Sequence, residues 1–177
     1  MNQPDPATDR NPLDSGQATA PTLDNPGVKI PPPFVVFPAI LIGVAIDYFF
    51  PIRILPASLT SFTGWLGVAL VLLATVTGPI LSFREFRRAR TPIGPDEPVS
   101  GLVTTGPFRY SRNPMYLSLL VMQLGAGIWL NNVWVVMLLA PVTAWVRWWA
   151  IAREERYLHG KFGQAYLAYQ AKVRRWL

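Results

Sequence analysis

The sequence predicts an all-α, polytopic integral membrane protein: a bundle of about four spanning helices, followed by a C-terminal amphipathic helix lying at the interface. Three observations carry this. Of 177 residues, 51% are apolar and only 15% charged, which is too oily for an ordinary soluble domain. The apolar residues fall into blocks long enough to cross a bilayer. Thirteen of the sixteen Lys and Arg follow Phe83 and sit at the ends of those blocks, as topology-setting charges do.

Composition also excludes. With no cysteine and a single histidine, His159, there is no thiolate chemistry and no histidine cluster, so no metal site is expected. The net charge of +6 does not form a soluble basic face. It points to anionic headgroups and membrane orientation, and nucleic acid is not an expected partner.

Residues 1–30 carry Pro4, Pro6, Pro12, Pro21 and Pro26 among scattered Asp and small polar residues. That composition predicts a disordered cytosolic tail without the pattern of a signal peptide. The membrane domain then occupies 31–177, entered through the stiff Pro31-Pro32-Pro33. Span one is predicted over 34–50, ending at Pro51. Asp47 within it reads mainly as an interfacial residue, because it lies one turn from Pro51. Span two covers 62–83, with Gly64, Gly67 and Gly78 for close helix approach and Pro79 as a kink. It stops at Arg84, Arg87, Arg88 and Arg90. A polar connection, 91–113, follows and is rich in Pro and Gly; its length marks it as functional.

Spans three (114–130) and four (133–152) are separated only by Asn131-Asn132, a tight helical hairpin, with Pro141 expected to kink the fourth. From 154 to 176, Leu158, Phe162, Tyr166, Tyr169, Val173 and Trp176 recur every three or four residues against Lys161, Lys172, Arg174 and Arg175. This is the interfacial helix, with Gly160 and Gly163 as possible breaks in its first turns. The arginine distribution places both termini and the arginine-rich face in the cytosol, with Arg53 alone on the other side.

Two segments on that face carry residues suited to chemistry. In the first, Asn113-Pro114 has a local explanation as an N-cap and first helical residue. A helix start also offers unpaired N–H groups and a positive dipole end to a carboxylate. In the second, Glu154-Glu155 stands between Arg153 and Arg156 as span four leaves the membrane. Intrahelical ion pairs account for such a cluster in most sequences. A carboxylate there also suits a sulfonium or an amine. Arg147, seven residues before Glu154 and so on the same helical face, either snorkels to headgroups or binds an anionic substrate.

Read together, Leu102-Val-Thr-Thr-Gly-Pro-Phe-Arg-Tyr110, Arg112-Asn-Pro-Met-Tyr116, the apolar hairpin, Glu154-Glu-Arg-Tyr-Leu158, Phe162-Gly-Gln-Ala-Tyr-Leu-Ala-Tyr169 and Val173-Arg-Arg-Trp176 resemble the isoprenylcysteine carboxyl methyltransferase and phospholipid methyltransferase group of membrane enzymes. The resemblance spans roughly 100–176. It implies S-adenosylmethionine as cofactor, contacted by Ser100, Gly101, Leu102, Val103, Phe108, Asn113, Pro114, Met115, Tyr116 and Glu154. Glu155 and Arg112 are the implied catalytic residues, with Arg109 in support. Three departures stand out: Asn113 replaces a usual His, Phe108 replaces a usual Tyr, and Ala150 stands where the isoprenylcysteine enzymes carry a substrate-linked arginine. Arg147 or Arg153 is then the expected substrate contact. The implied activity is methyl transfer to a lipid-like or prenylcysteine-like carboxylate at the cytosolic face. An amine N-methyltransferase with Glu155 as base, and a non-enzymatic membrane scaffold, are the competing expectations.

Overall fold

The computed structural model describes Gly27, residues 30–90 and residues 100–177. The predicted tail, apart from Gly27 and Ile30, and residues 91–99 of the polar connection lie outside the described residues. Those described are all helical or irregular, with no strand.

Helix α1 (Pro33–Phe49) begins where the proline run supplies preset φ angles and gives up N–H groups that a first turn cannot use. Pro51 prevents its continuation. Val36 and Ala39 face inward, onto Leu120, Val142, Val146 and Ile151, while Phe34, Phe37, Leu41 and Ile42 point outward.

Helix α2 (Thr60–Thr75) runs through a π turn (Val76–Ile80) into α3 (Leu81–Arg88), making one apolar rod over Thr60–Arg88. Pro79 lies inside the π turn, which absorbs the hydrogen bond its ring nitrogen cannot donate. The rod packs most extensively on α4 (Pro114–Trp129). Gly67 permits this: a Cβ there would lie 2.5 Å from the Trp129 nitrogen and 2.6 Å from the Gly125 carbonyl oxygen. Gly78 meets Ser118 in the same way at the other end of the contact.

The hairpin after α4 turns on Asn131, which takes a left-handed φ of 50°. Asn132 caps α5 (Val133–Met137), its Oδ1 accepting from the Val135 N–H at 3.1 Å. The chain breaks helix at Leu138 and resumes as α6 (Leu139–Trp145), so the interruption falls just before Pro141 rather than as a bend at it. A second π turn (Val146–Ile151) leads into α7 (Ala152–Lys172), and the run Val133–Lys172 contains the second stretch long and apolar enough to cross a membrane. Together with α1 and α4, which are shorter apolar helices, these two stretches carry a coat of exposed large apolar side chains. Such a surface suits association with a membrane.

Within α7, Gly163 adopts φ 48°, ψ −122° and kinks the helix. Beyond the kink, Tyr166, Tyr169 and Val173 are buried with Leu102, Leu158 and Phe162. The predicted apolar stripe thus packs in large part on the protein's own connection before α4. Trp176 departs from that stripe and joins the cluster around α1.

Candidate functional site

The arginine-rich end gathers four pieces of chain: the end of α3, the connection before α4, the start of α4, and α7 with its C-terminal strap. The central contact joins residues 38 apart in sequence. Tyr116, in the first turn of α4, donates its hydroxyl to Glu154 Oε2 at 2.8 Å. Glu154 lies beyond the apolar segment that ends at Ile151, yet burial pushes its carboxyl above the ordinary range, with Glu155 adding to the rise.

Glu155 faces a different set of partners. Its Oε1 lies 3.0 Å from Arg112 Nη1 and accepts from Arg175 Nε at 3.1 Å, while Oε2 accepts from Arg175 Nη2. The hydrogen bonds to Glu155 raise the Arg175 pKa further. The cluster is therefore two guanidinium groups gathered on one carboxylate. Arg112 also lies beside Tyr166, whose hydroxyl pKa is raised mainly by burial. The Arg112 Nε is buried with no hydrogen-bond partner among the described residues.

The C-terminal strap fixes the connection. Arg112 N–H donates to the Arg174 carbonyl at 3.0 Å, and the Asn113 side-chain amide donates to the Arg175 carbonyl at 3.0 Å. Asn113 stands at the N-cap position, but its side chain makes no cap bond because it is turned onto the strap. That corrects the expected capping role; Pro114 is at the start of the helix as expected. The short 3-10 turn Gly106–Arg109 is held from two sides. Phe108 packs edge-on against Phe86, with centroids 5.3 Å apart, and its carbonyl accepts from the buried Tyr169 hydroxyl at 2.7 Å.

Of the residues singled out from the sequence, Val103, Phe108, Asn113 and Pro114 are buried, and Met115 and Tyr116 half-buried, around this end. Leu102 packs on Tyr166 and Tyr169, and Gly101 beside it is half-buried. Ser100 is exposed and donates to the Arg90 carbonyl at 3.2 Å; Arg109 is exposed too.

The substrate candidates diverge. Arg147 is exposed and does not share the face of Glu154, because the intervening π turn bonds i to i+5 and seven residues no longer make two α-turns. Arg153 stacks 4.2 Å over the Trp149 ring, which stacks in turn on Trp145, and donates to the Gly27 carbonyl at 3.1 Å. Sequence reasoning missed Arg175 as the partner of Glu155, and it missed Glu85. Nothing local marks either; only the packed chain does.

Helices throughout the described residues, under a coat of exposed large apolar side chains, define the class: a helical, membrane-associated protein. The chain belongs to the phospholipid methyltransferase family, whose model matches residues 62–165. It is also similar to an uncharacterised protein of Haemophilus influenzae, with 45% identity over 65 residues, 36% of this chain and 100% of that protein. No solved structure matches.

Proposed function

We infer that the protein transfers a methyl group from S-adenosylmethionine to the carboxylate of a lipid-like acceptor, at the cytosolic face of a membrane crossed four times. The carrying observation is the Tyr116–Glu154 hydrogen bond, which joins the two segments singled out for cofactor contact. The donor set suits a ligand bearing both charges. A buried carboxylate at Glu154 suits an ammonium or sulfonium, and the unpartnered Arg112 Nε suits a carboxylate.

When bound, S-adenosylmethionine supplies a methyl group on a positively charged sulfur. The protein's part is alignment and exclusion of water. Tyr116 orients the Glu154 carboxylate, and the Asn113 amide bond to the strap fixes where α4 begins. Glu155 does not serve as a base in this reading, since two guanidinium groups hold both its oxygens. That favours an acceptor already ionised over an amine that must lose a proton. The lipophilic acceptor arrives from the bilayer, with Arg153, at the head of the Trp145–Trp149 stack, as its polar contact. The arginine clusters on one side support cytosolic termini and a cytosolic site.

The test is binding of S-adenosylhomocysteine in detergent, read by thermal shift and calorimetry, with Glu154→Gln beside the native protein. The variant is expected to bind roughly 30-fold more weakly, the ~2 kcal/mol of a lost charged contact. Absence of binding to the native protein would return the scaffold reading. Methyl label in extracted lipid that resists mild base would overturn the carboxylate acceptor in favour of an amine.

A further inference from the structure

We propose that Glu85, at the end of α3, is a positioning residue that sets the cofactor-contacting connection in place. The inference rests on the reading of that connection as a cofactor wall. Glu85 is 5% exposed, on a helix whose neighbouring residues Arg84, Arg87 and Arg88 are charged. A buried carboxylate needs partners, and these come from two places. Arg88 Nη1 donates to its Oε1 at 3.0 Å, with Arg84 Nε at 3.8 Å. Across 20 residues of sequence, the Thr105 hydroxyl donates to its Oε2 at 2.7 Å.

A second observation makes this more than an ion pair. Gly106 follows Thr105 with a left-handed φ of 60°, and a Cβ on it would lie 2.6 Å from Glu85 Cγ. The backbone rests directly on the glutamate stem, and only glycine meets both demands. The 3-10 turn carrying Phe108 starts at this point, and Phe86, next to Glu85, takes the edge of the Phe108 ring. Glu85 therefore fixes the height and direction from which the connection approaches α4. The charge matters as well as the two oxygens: a glutamine here could still accept from Arg88 and donate to the Thr105 hydroxyl, but it would meet Arg88 and Arg84 without a charge and would reverse the Thr105 hydrogen bond.

Calorimetry with S-adenosylhomocysteine, on full-length protein in detergent, tests this with Glu85→Gln, Thr105→Val, Thr105→Ser and the Glu85→Gln/Thr105→Val double variant. Thr105 is exposed as a residue, so its variants leave the apolar packing untouched, and Thr105→Val takes only one donor from the buried Glu85, which keeps Arg88. Glu85→Gln and Thr105→Val should each weaken affinity about tenfold, or ~1.4 kcal/mol. Thr105→Ser should restore it, and the double variant should lose no more than either single change. Ligand-free melting temperature should stay within about 3 °C of native for Thr105→Val. Affinity within twofold of native in Thr105→Val, failure of Thr105→Ser to restore it, or additive losses would each overturn the proposal. A native protein that does not bind at all would instead defeat the underlying functional reading.

Discussion

The two ends of the helix bundle are held by different chemistry. At the Asn131–Asn132 end the ties, apart from the Asp47–Arg53 ion pair, are neutral side chains on backbone groups. Asn131 Oδ1 accepts from the Ile54 and Leu55 N–H groups, both at 3.0 Å, and its amide donates to the Leu55 carbonyl. Asn132 reaches the Gly43 carbonyl at 3.3 Å, and Trp134 reaches that of Phe50 at 2.7 Å. Three side chains so placed join the end of α1, the segment around Ile54–Leu55 and the hairpin. At the arginine-rich end the ties are charged side chains on charged side chains, with Tyr116, Tyr169 and Asn113 between them. Neutral bonds to backbone lock a fold cheaply, whereas charges held together out of water are costly unless well partnered. One end therefore keeps the fold together, and the other holds charged side chains against one another at some cost.

The sharpest way to break this division is to injure each end once. Asn132→Ala removes a cap and a buried amide bond from a residue 2% exposed. It should cost about 2 kcal/mol of stability in detergent unfolding, with ligand affinity unchanged in the molecules that remain folded. Glu155→Gln should do the reverse: binding falls more than stability, because Arg112 and Arg175 lose the charge that gathers them. Loss of affinity in Asn132→Ala at full folding would end the division of labour.

A subtler difference concerns pH. Burial raises the Glu154 pKa, so on lowering pH the group takes up a proton earlier than an ordinary glutamate, near 4.3. Binding of the cationic end of S-adenosylhomocysteine needs the ionised form. Affinity should therefore be full well above the raised pKa and fall as pH drops through it, by up to tenfold per unit below it. The ligand-free protein has the opposite sign at this residue: its stability contribution is present at low pH and lost as pH rises through the raised value. Glu154→Gln should flatten the affinity profile. A fall confined to the ordinary carboxylate range would place the titrating group elsewhere.

How much of this could be read from the sequence follows from the range of the interactions. The blocks predicted over 34–50, 62–83 and 114–130 lie over α1, the α2–α3 rod and α4, and the block 133–152 covers α5, α6 and the second π turn, because hydropathy and proline act locally. The resemblance implies Tyr116 and Glu154 each as a cofactor contact; their direct hydrogen bond, which brings the two segments together, comes from the packed chain. The π turns were not legible, since residues 76–80 and 146–151 fit an ordinary α-helix equally well, and the second of them displaced Arg147 from its expected face. Spacing alone puts Arg175 on the polar side of the interfacial helix. Its contact with Glu155 depends on the Gly163 kink and the return of the strap, neither of which spacing encodes.

The smallest expected effect tests the quiet end. Asp47 is ionisable and sits in an apolar helix, the usual mark of function. Yet its Oδ2 pairs with Arg53 Nη1 at 3.1 Å, and that arginine side chain is 53% exposed, so solvent screens the attraction. The other oxygen, Oδ1, is buried with no partner among the described residues, which offsets part of what the pair gains. Asp47→Asn keeps an acceptor for Arg53 while removing the charge from the buried side. Stability should change by less than about 1 kcal/mol in either direction, and methyl transfer should not change. If the substitution instead abolished transfer with the fold intact, the chemistry would depend on the end opposite the arginines, and the proposed cytosolic site would have to be abandoned.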